Sequence, residues 1–138
     1  MHRFLQVLGL SALLTIVAAC STHTAQLVTE DISIAKAKSF VSDKKAIILD
    51  VRTPEEYAAG HIPGAVNINI NNDEFAKKVA LLDRSKTYVV HCAANVPNGR
   101  TDKSFKVMNK LGFSKLLNLE GGIIAWQQEG QQVVKGED

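Results

Sequence analysis

A cysteine stands at position 92, closing the apolar run Tyr88-Val89-Val90, and an arginine follows at position 100 after Ala93-Ala94-Asn95-Val96-Pro97-Asn98-Gly99. A thiol attacks as its anion, and a free thiol with a reference pKa of about 8.5 is mostly protonated at neutral pH. Stabilising the anion takes positive charge and convergent N–H donors, from a helix N-terminus, a guanidinium and backbone amides. Arg100 offers the guanidinium, which can also clamp an oxyanion. Val96-Pro97-Asn98-Gly99 has proline second and glycine fourth, a β-turn composition that would fold Arg100 back toward Cys92. The amides of Ala93, Ala94, Asn95, Val96, Asn98 and Gly99 are candidate lining for a bound anion, whereas Pro97 has none to offer. Such a thiolate could attack sulfur, phosphorus or arsenic bearing charged oxygens and hold the transferred group covalently. The spacing does not choose among them.

Other polar residues read as structural. Asp102, early in a helix, is expected to cap it rather than act as a general acid. His61 and His91 lack the partner cysteine or helical HxxxH spacing of a metal site, so hydrogen bonding is expected of both, with no metal and no cofactor. Asp50 and Arg52 are expected to organise a strand-end turn, Trp126 to fill the core, and Lys103, Lys106 and Lys110 to face solvent.

The elements that must position Cys92 alternate. Residues 46–49 (AIIL), 65–70 (AVNINI), 88–90 (YVV) and 116–119 (LLNL) read as short strands separated by helical stretches, the pattern of an α/β domain with a mainly parallel sheet. Thr53-Pro54-Glu55-Glu56 has the order of an N-cap, a first-position proline and an acidic first turn, with Gly60 closing the helix, so Asp50 falls where a strand ends. Ser104, Val107, Met108 and Leu111 recur at helical spacing up to Gly112, predicting a helix that starts just after Arg100. Cys92 therefore lies beyond the carboxyl end of a strand with a helix following, where open parallel sheets bind ligands.

The 138 residues, 46% apolar and 22% charged, suit one small domain preceded by a leader. Residues 1–20 (MHRFLQVLGLSALLTIVAAC) combine a basic start, an apolar stretch short for a membrane span, and small residues before Cys20. Val17-Ala18-Ala19-Cys20 resembles the bacterial lipoprotein signal, which implies removal of residues 1–19, lipid on Cys20, and a polar tether through residue 26. Ser21 after the cysteine resembles lipoproteins of the outer membrane, so a place in the bacterial cell envelope on the periplasmic side is expected. The domain would occupy residues 27–133, with a polar tail at 134–138. Without Arg3 the basic residues are one fewer than the chain's 16, against 14 acidic, and near neutrality gives no reason to expect a nucleic-acid partner. With Cys20 lipidated, Cys92 would be the one free thiol in an oxidising compartment and could not close an internal disulfide.

LDVRTPEEYAAGHIPGAVNINI, residues 49–70, resembles the signature segment of rhodanese-type sulfurtransferase domains, and NLEGGIIAW, residues 118–126, resembles their closing segment. The resemblance implies a rhodanese-like α/β fold: a five-stranded, mainly parallel sheet with helices on both faces. It also implies that Cys92 is the nucleophile and Arg100 the arginine that closes its loop. Cys92 would take the outer sulfur of thiosulfate or a persulfide and pass it to a thiol or cyanide, with a protein as a further candidate acceptor.

The loop departs from the family pattern. Sulfurtransferases of this family commonly show C-x4-R and phosphatases of the same fold C-x5-R, whereas seven residues separate Cys92 from Arg100. Enlarging the closed segment from six to nine residues costs only about 0.4 kcal/mol, so the insertion is compatible with the fold while leaving specificity open. His91-Cys92 and Arg100-Thr101 also resemble the tyrosine-phosphatase signature. Three readings follow: a lipid-anchored sulfurtransferase, a phosphatase or arsenate-type thiol enzyme, and a non-catalytic rhodanese module that binds a partner or senses oxidants.

Overall fold

The computed structural model describes residues 28–136, so the leader, the lipidation site at Cys20, the tether, Leu27 and the last two residues of the tail lie outside the described residues. The elements in chain order are β1 (Val28–Ile32), α1 (Ile34–Ser42), β2 (Ile47–Asp50), α2 (Pro54–Ala59), β3 (Val66–Asn67), α3 (Phe75–Ala80), β4 (Tyr88–His91), α4 (Arg100–Lys110), β5 (Lys115–Leu119) and α5 (Gly122–Gln128). The five strands form one sheet in the order β1-β5-β4-β2-β3, with every pairing parallel.

Alternation along the strands divides the core into two layers, because successive side chains leave a strand on opposite faces. On one face Ile48, Val89, Leu117 and Leu119 pack with Ile34 and Ala37 of α1, Tyr57 of α2, and Ile123 and Trp126 of α5. On the other, Leu49, Tyr88, Val90 and Leu116 pack with Phe75 and Val79 of α3 and Phe105 and Met108 of α4. Strand β4 is buried at all four positions, as a central strand covered on both faces must be, and this explains its unbroken apolar run. Cys92 falls on the α3/α4 face, and Trp126 fills the core as expected.

Three sequence-based expectations need correction. β1, VTEDI, is a strand that the hydrophobic pattern does not announce, because Glu30 and Asp31 of this edge strand are exposed and break the apolar signal. The AVNINI run contributes only two residues of ladder. Ile68 and Ile70 still donate to Asp50 O and Val51 O, and Asn67 Nδ2 donates to Asp50 O and Arg52 O, so the run follows the end of β2 as a bend. α4 starts at Arg100 itself, and its buried stripe is Thr101, Ser104, Phe105 and Met108, with Val107 and Leu111 only partly buried.

The GHIPGA turn is pinned from within. Tyr57 Oη donates to Ala65 O at 2.7 Å, and the His61 ring stacks on Tyr57 with centroids 3.6 Å apart. His61 and Val134 exchange backbone hydrogen bonds of 2.9 Å each, and Gly136 N donates to Ala58 O, so contact with the domain continues past residue 133.

Candidate active site

β4 delivers Cys92 to the carboxyl edge of the sheet, between the ends of β2 and β5. From β2 the chain runs outward to β3 and then returns to β4 on the other side, so the crevice above β2 and β4 is a topological switch point, where such folds bind ligands. Cys92 is 3% exposed. Its Sγ–H donates to Ala94 O at 2.9 Å, so the loop folds back over the sulfur. Ala93, Ala94 and Asn95 are half-buried, whereas Val96, Pro97 and Asn98 form an exposed tip. Among the described residues, the amides of Ala93, Ala94, Asn95, Val96 and Arg100 donate no hydrogen bond. They are unengaged donors of the loop that runs from Cys92 to α4.

The expected turn is present at the far side of the loop. Gly99 N donates to Val96 O at 2.9 Å, and Asn98 has φ +58, the positive third-position value of a type II turn that Asn tolerates. A Cβ on Gly99 would lie 2.7 Å from Val96 O, so the fourth position has no room for a side chain. Asp102 reaches back from the first turn of α4 and accepts from Asn98 N at 2.7 Å. Its carboxylate fastens the loop to the helix, but the N-cap position of α4 belongs to Gly99 and carries no side-chain cap bond, so Asp102 ties down the loop rather than capping the helix as expected.

Arg100 occupies the first position of α4, and its guanidinium is engaged by a residue that sequence reasoning did not single out for the site. Nη1 donates to Glu56 Oε2 at 2.5 Å and Nη2 to Glu56 Oε1 at 2.9 Å. Glu56 also closes the capping box of α2: its Oε2 accepts from Thr53 N at 3.0 Å while Thr53 Oγ1 accepts from Glu56 N. The Arg100 bond, reinforced by Thr53 N, depresses the Glu56 pKa to about 2. The same pairing raises that of Arg100.

Behind the thiol lies a buried polar cluster on the opposite face of the sheet. Asp50 is fully buried and accepts from Arg52 Nε at 3.0 Å and from Nη2 at 2.6 Å. Arg52 then ties α2 down by donating to Glu56 O and Gly60 O. His91 presents Nδ1 to Cys92 O at 3.1 Å, which assigns the proton to Nδ1 because a carbonyl can only accept. Its Nε2 then faces Asp50 Oδ2 as a lone pair at 3.6 Å without a hydrogen bond. Burial, outweighing Asp50, pushes the His91 pKa down.

The floor of the loop is set by α5. Ile123 N donates to Cys92 O and Ile124 N to Ala93 O, both at 3.1 Å. This approach requires glycine at 122, where φ is +61 and a Cβ would sit 2.6 Å from Cys92 O and 2.7 Å from Ala93 O. With this geometry in place, the family match is decisive: residues 33–129 match the family described as "Rhodanese-like domain". The chain belongs to the rhodanese-like family.

Relatives of this rhodanese-like domain include the "Putative sulfurtransferase YtwF" of Bacillus subtilis (strain 168), 36% identical over 101 residues, which cover 72% of this chain and 92% of that protein. A "tRNA uridine(34) hydroxylase" of Buchnera aphidicola is 34% identical over 70% of this chain, but the match spans only 30% of that longer protein. Among solved structures, a rhodanese-related protein from Thermoplasma volcanium superposes with a TM-score of 0.65 at 33% identity, covering 76% of this chain and 97% of that one.

Within this rhodanese-like domain the structure brings Cys92, Ala93, Ala94, Asn95 and Arg100 to one end of the sheet and leaves Val96 and Asn98 at its exposed rim. Glu56 and Gly122 were the missed members. The acidic first turn of α2 identified Glu56 only as a helix-start residue, and Gly122 sat inside the matched NLEGGIIAW segment without a role assigned to it.

Proposed function

We propose that this rhodanese-like domain is an exported, lipid-anchored sulfurtransferase in which Cys92 carries the transferred sulfur. The observation that carries the reading is Cys92 at the end of the central strand, beneath a loop with several unengaged amides. The kinship with a named sulfurtransferase over 92% of that relative's length supports it. The leader-like segment ending at Cys20 supports export and anchoring.

The reaction begins with loss of the Sγ proton to solvent. The anion can no longer donate to Ala94 O and repels it, so the Ala93–Ala94 peptides turn and the loop opens, presenting N–H groups to the sulfur. The thiolate then attacks the outer sulfur of a sulfane donor. A Cys92 S–S bond forms as the donor's S–S bond breaks, and the leaving group departs with the bonding pair: sulfite from thiosulfate, or a thiolate from a persulfide. An acceptor thiolate or cyanide next attacks the terminal sulfur of the Cys92 persulfide, giving a new persulfide or thiocyanate and restoring the Cys92 thiolate.

Intact-protein mass spectrometry of the mature domain tests this. Exposure to thiosulfate or another sulfane donor should add one sulfur atom, and Cys92→Ser should abolish the gain. No gain with any sulfane donor would overturn the reading. For the anchor, Cys20→Ser should release the protein from the membrane fraction, and unchanged membrane association would refute lipidation at that residue.

A further inference from the structure

The two terminal nitrogens of Arg100 grip a carboxylate, in the same forked arrangement by which a guanidinium would take a sulfonate or phosphate. That carboxylate is held by more than the arginine. Glu56 Oε2 is also bonded to Thr53 N, and the Glu56 backbone carbonyl accepts from Arg52, itself clamped on buried Asp50. An anion approaching Arg100 therefore meets a fixed negative charge in the position it would occupy.

The surrounding charges do not compensate. Asp50 and Arg52 neutralise one another, and Asp102 at the loop's outer edge adds another carboxylate, bonded to Asn98 N. His91, behind the thiol, is kept neutral by burial. Lys103 and Lys106 are exposed residues of α4, and among the described residues no lysine makes a hydrogen bond or ion pair to the loop between Cys92 and Arg100. The cradle thus offers neutral backbone N–H groups with a guanidinium whose charge is already balanced.

We infer that the donor is selected by charge: the site accepts singly charged sulfane sulfur compounds, persulfides and thiosulfonates, in preference to dianionic thiosulfate, and Glu56 is the positioning residue that enforces this through Arg100. The inference rests on the sulfurtransferase reading above. A monoanionic thiosulfonate fits the same chemistry. Its terminal sulfur bonds to Cys92 Sγ while the S–S bond to the sulfonyl group breaks, and a sulfinate leaves with the pair and its single negative charge.

The test compares the rates of Cys92 persulfide formation with thiosulfate and with methanethiosulfonate, each divided by the rate with free cysteine to remove intrinsic reactivity. Wild-type protein should favour methanethiosulfonate. Glu56→Gln keeps an acceptor for the capping bond while removing the charge. Because a fixed charge acts twice as strongly on a dianion as on a monoanion at the same place, the gain for thiosulfate should be about the square of the gain for methanethiosulfonate. The expectation is about tenfold against about threefold, with the thiosulfate change residing mainly in KM. Tenfold corresponds to about 1.4 kcal/mol. A purely structural role would move both donors alike.

A wild-type preference for thiosulfate would overturn the inference, and so would equal factors for both donors in Glu56→Gln. The wild-type comparison stands alone if the variant does not fold. Persulfide formation from both donors without charge selection removes this inference and leaves the sulfurtransferase reading intact. Formation from neither donor, nor from an alkyl persulfide, removes both.

Discussion

Glu56 and Arg100, 44 positions apart in the chain, meet through two hydrogen bonds of 2.5 and 2.9 Å and so couple the first turn of α2 to the first turn of α4. Bidentate geometry restricts both side chains, while partial exposure lets water and salt weaken the attraction. In a double-mutant cycle with Glu56→Gln and Arg100→Met, urea unfolding should give a coupling energy of about 1 kcal/mol that shrinks at high salt. Additive single-mutant effects would show the pair to be energetically idle.

Acid should destabilise the domain in two separable windows. Glu56 has its pKa depressed from 4.5 to about 2, so its contribution is complete above about pH 4.5 and is lost as pH falls toward 2. His91 is depressed from 6.5 by burial, so below that value the unfolded chain takes up a proton that the folded one refuses. Stability at this site is therefore complete above pH 6.5 and declines as pH falls. Chemical-denaturation midpoints from pH 8 to 2 should show both declines. His91→Asn should flatten the upper window and Glu56→Gln the lower.

Gly122→Ala should be among the more damaging single-methyl additions in this domain. The new Cβ would meet the carbonyl oxygens of Cys92 and Ala93 at 2.6 and 2.7 Å on a backbone with φ +61. A loss of about 2 kcal/mol or more is expected. The rate of Cys92 persulfide formation should drop as well, because the same carbonyls fix the base of the loop. Thermal unfolding and intact-mass kinetics would check the two effects.

Asp50→Asn should cost about 3–5 kcal/mol, since it leaves the Arg52 guanidinium buried without the carboxylate that neutralises it. Urea unfolding monitored by Trp126 fluorescence would measure the loss. A stability change under about 1 kcal/mol would mean that Gly60 O and Glu56 O alone can hold the arginine.

Local signals were legible where one segment dictates its own shape. Thr53-Pro54 and Gly60 bound α2 as read, and Val96 to Gly99 forms the turn that its proline and glycine announce. Cys92 was recognisable because a fully covered strand must be apolar throughout and then stop. The rest depended on partners distant in the chain. Nothing in TPEEY marks Glu56 as the partner of an arginine in another element, because that meeting is created by the parallel register of β2 and β4. Phe105 escaped the helical stripe because the pattern was registered on Val107 and Leu111, which α4 leaves only half-covered.

The two-bond clasp between His61 and Val134 bears on how the protein should be produced. A recombinant version cut after residue 133 would strip both bonds from a backbone that lies wholly inside the domain, and each lost partner at such a site costs about 1–3 kcal/mol. Expression boundaries and affinity tags therefore belong beyond Gly136, where the last bond made among the described residues, to Ala58 O, is complete.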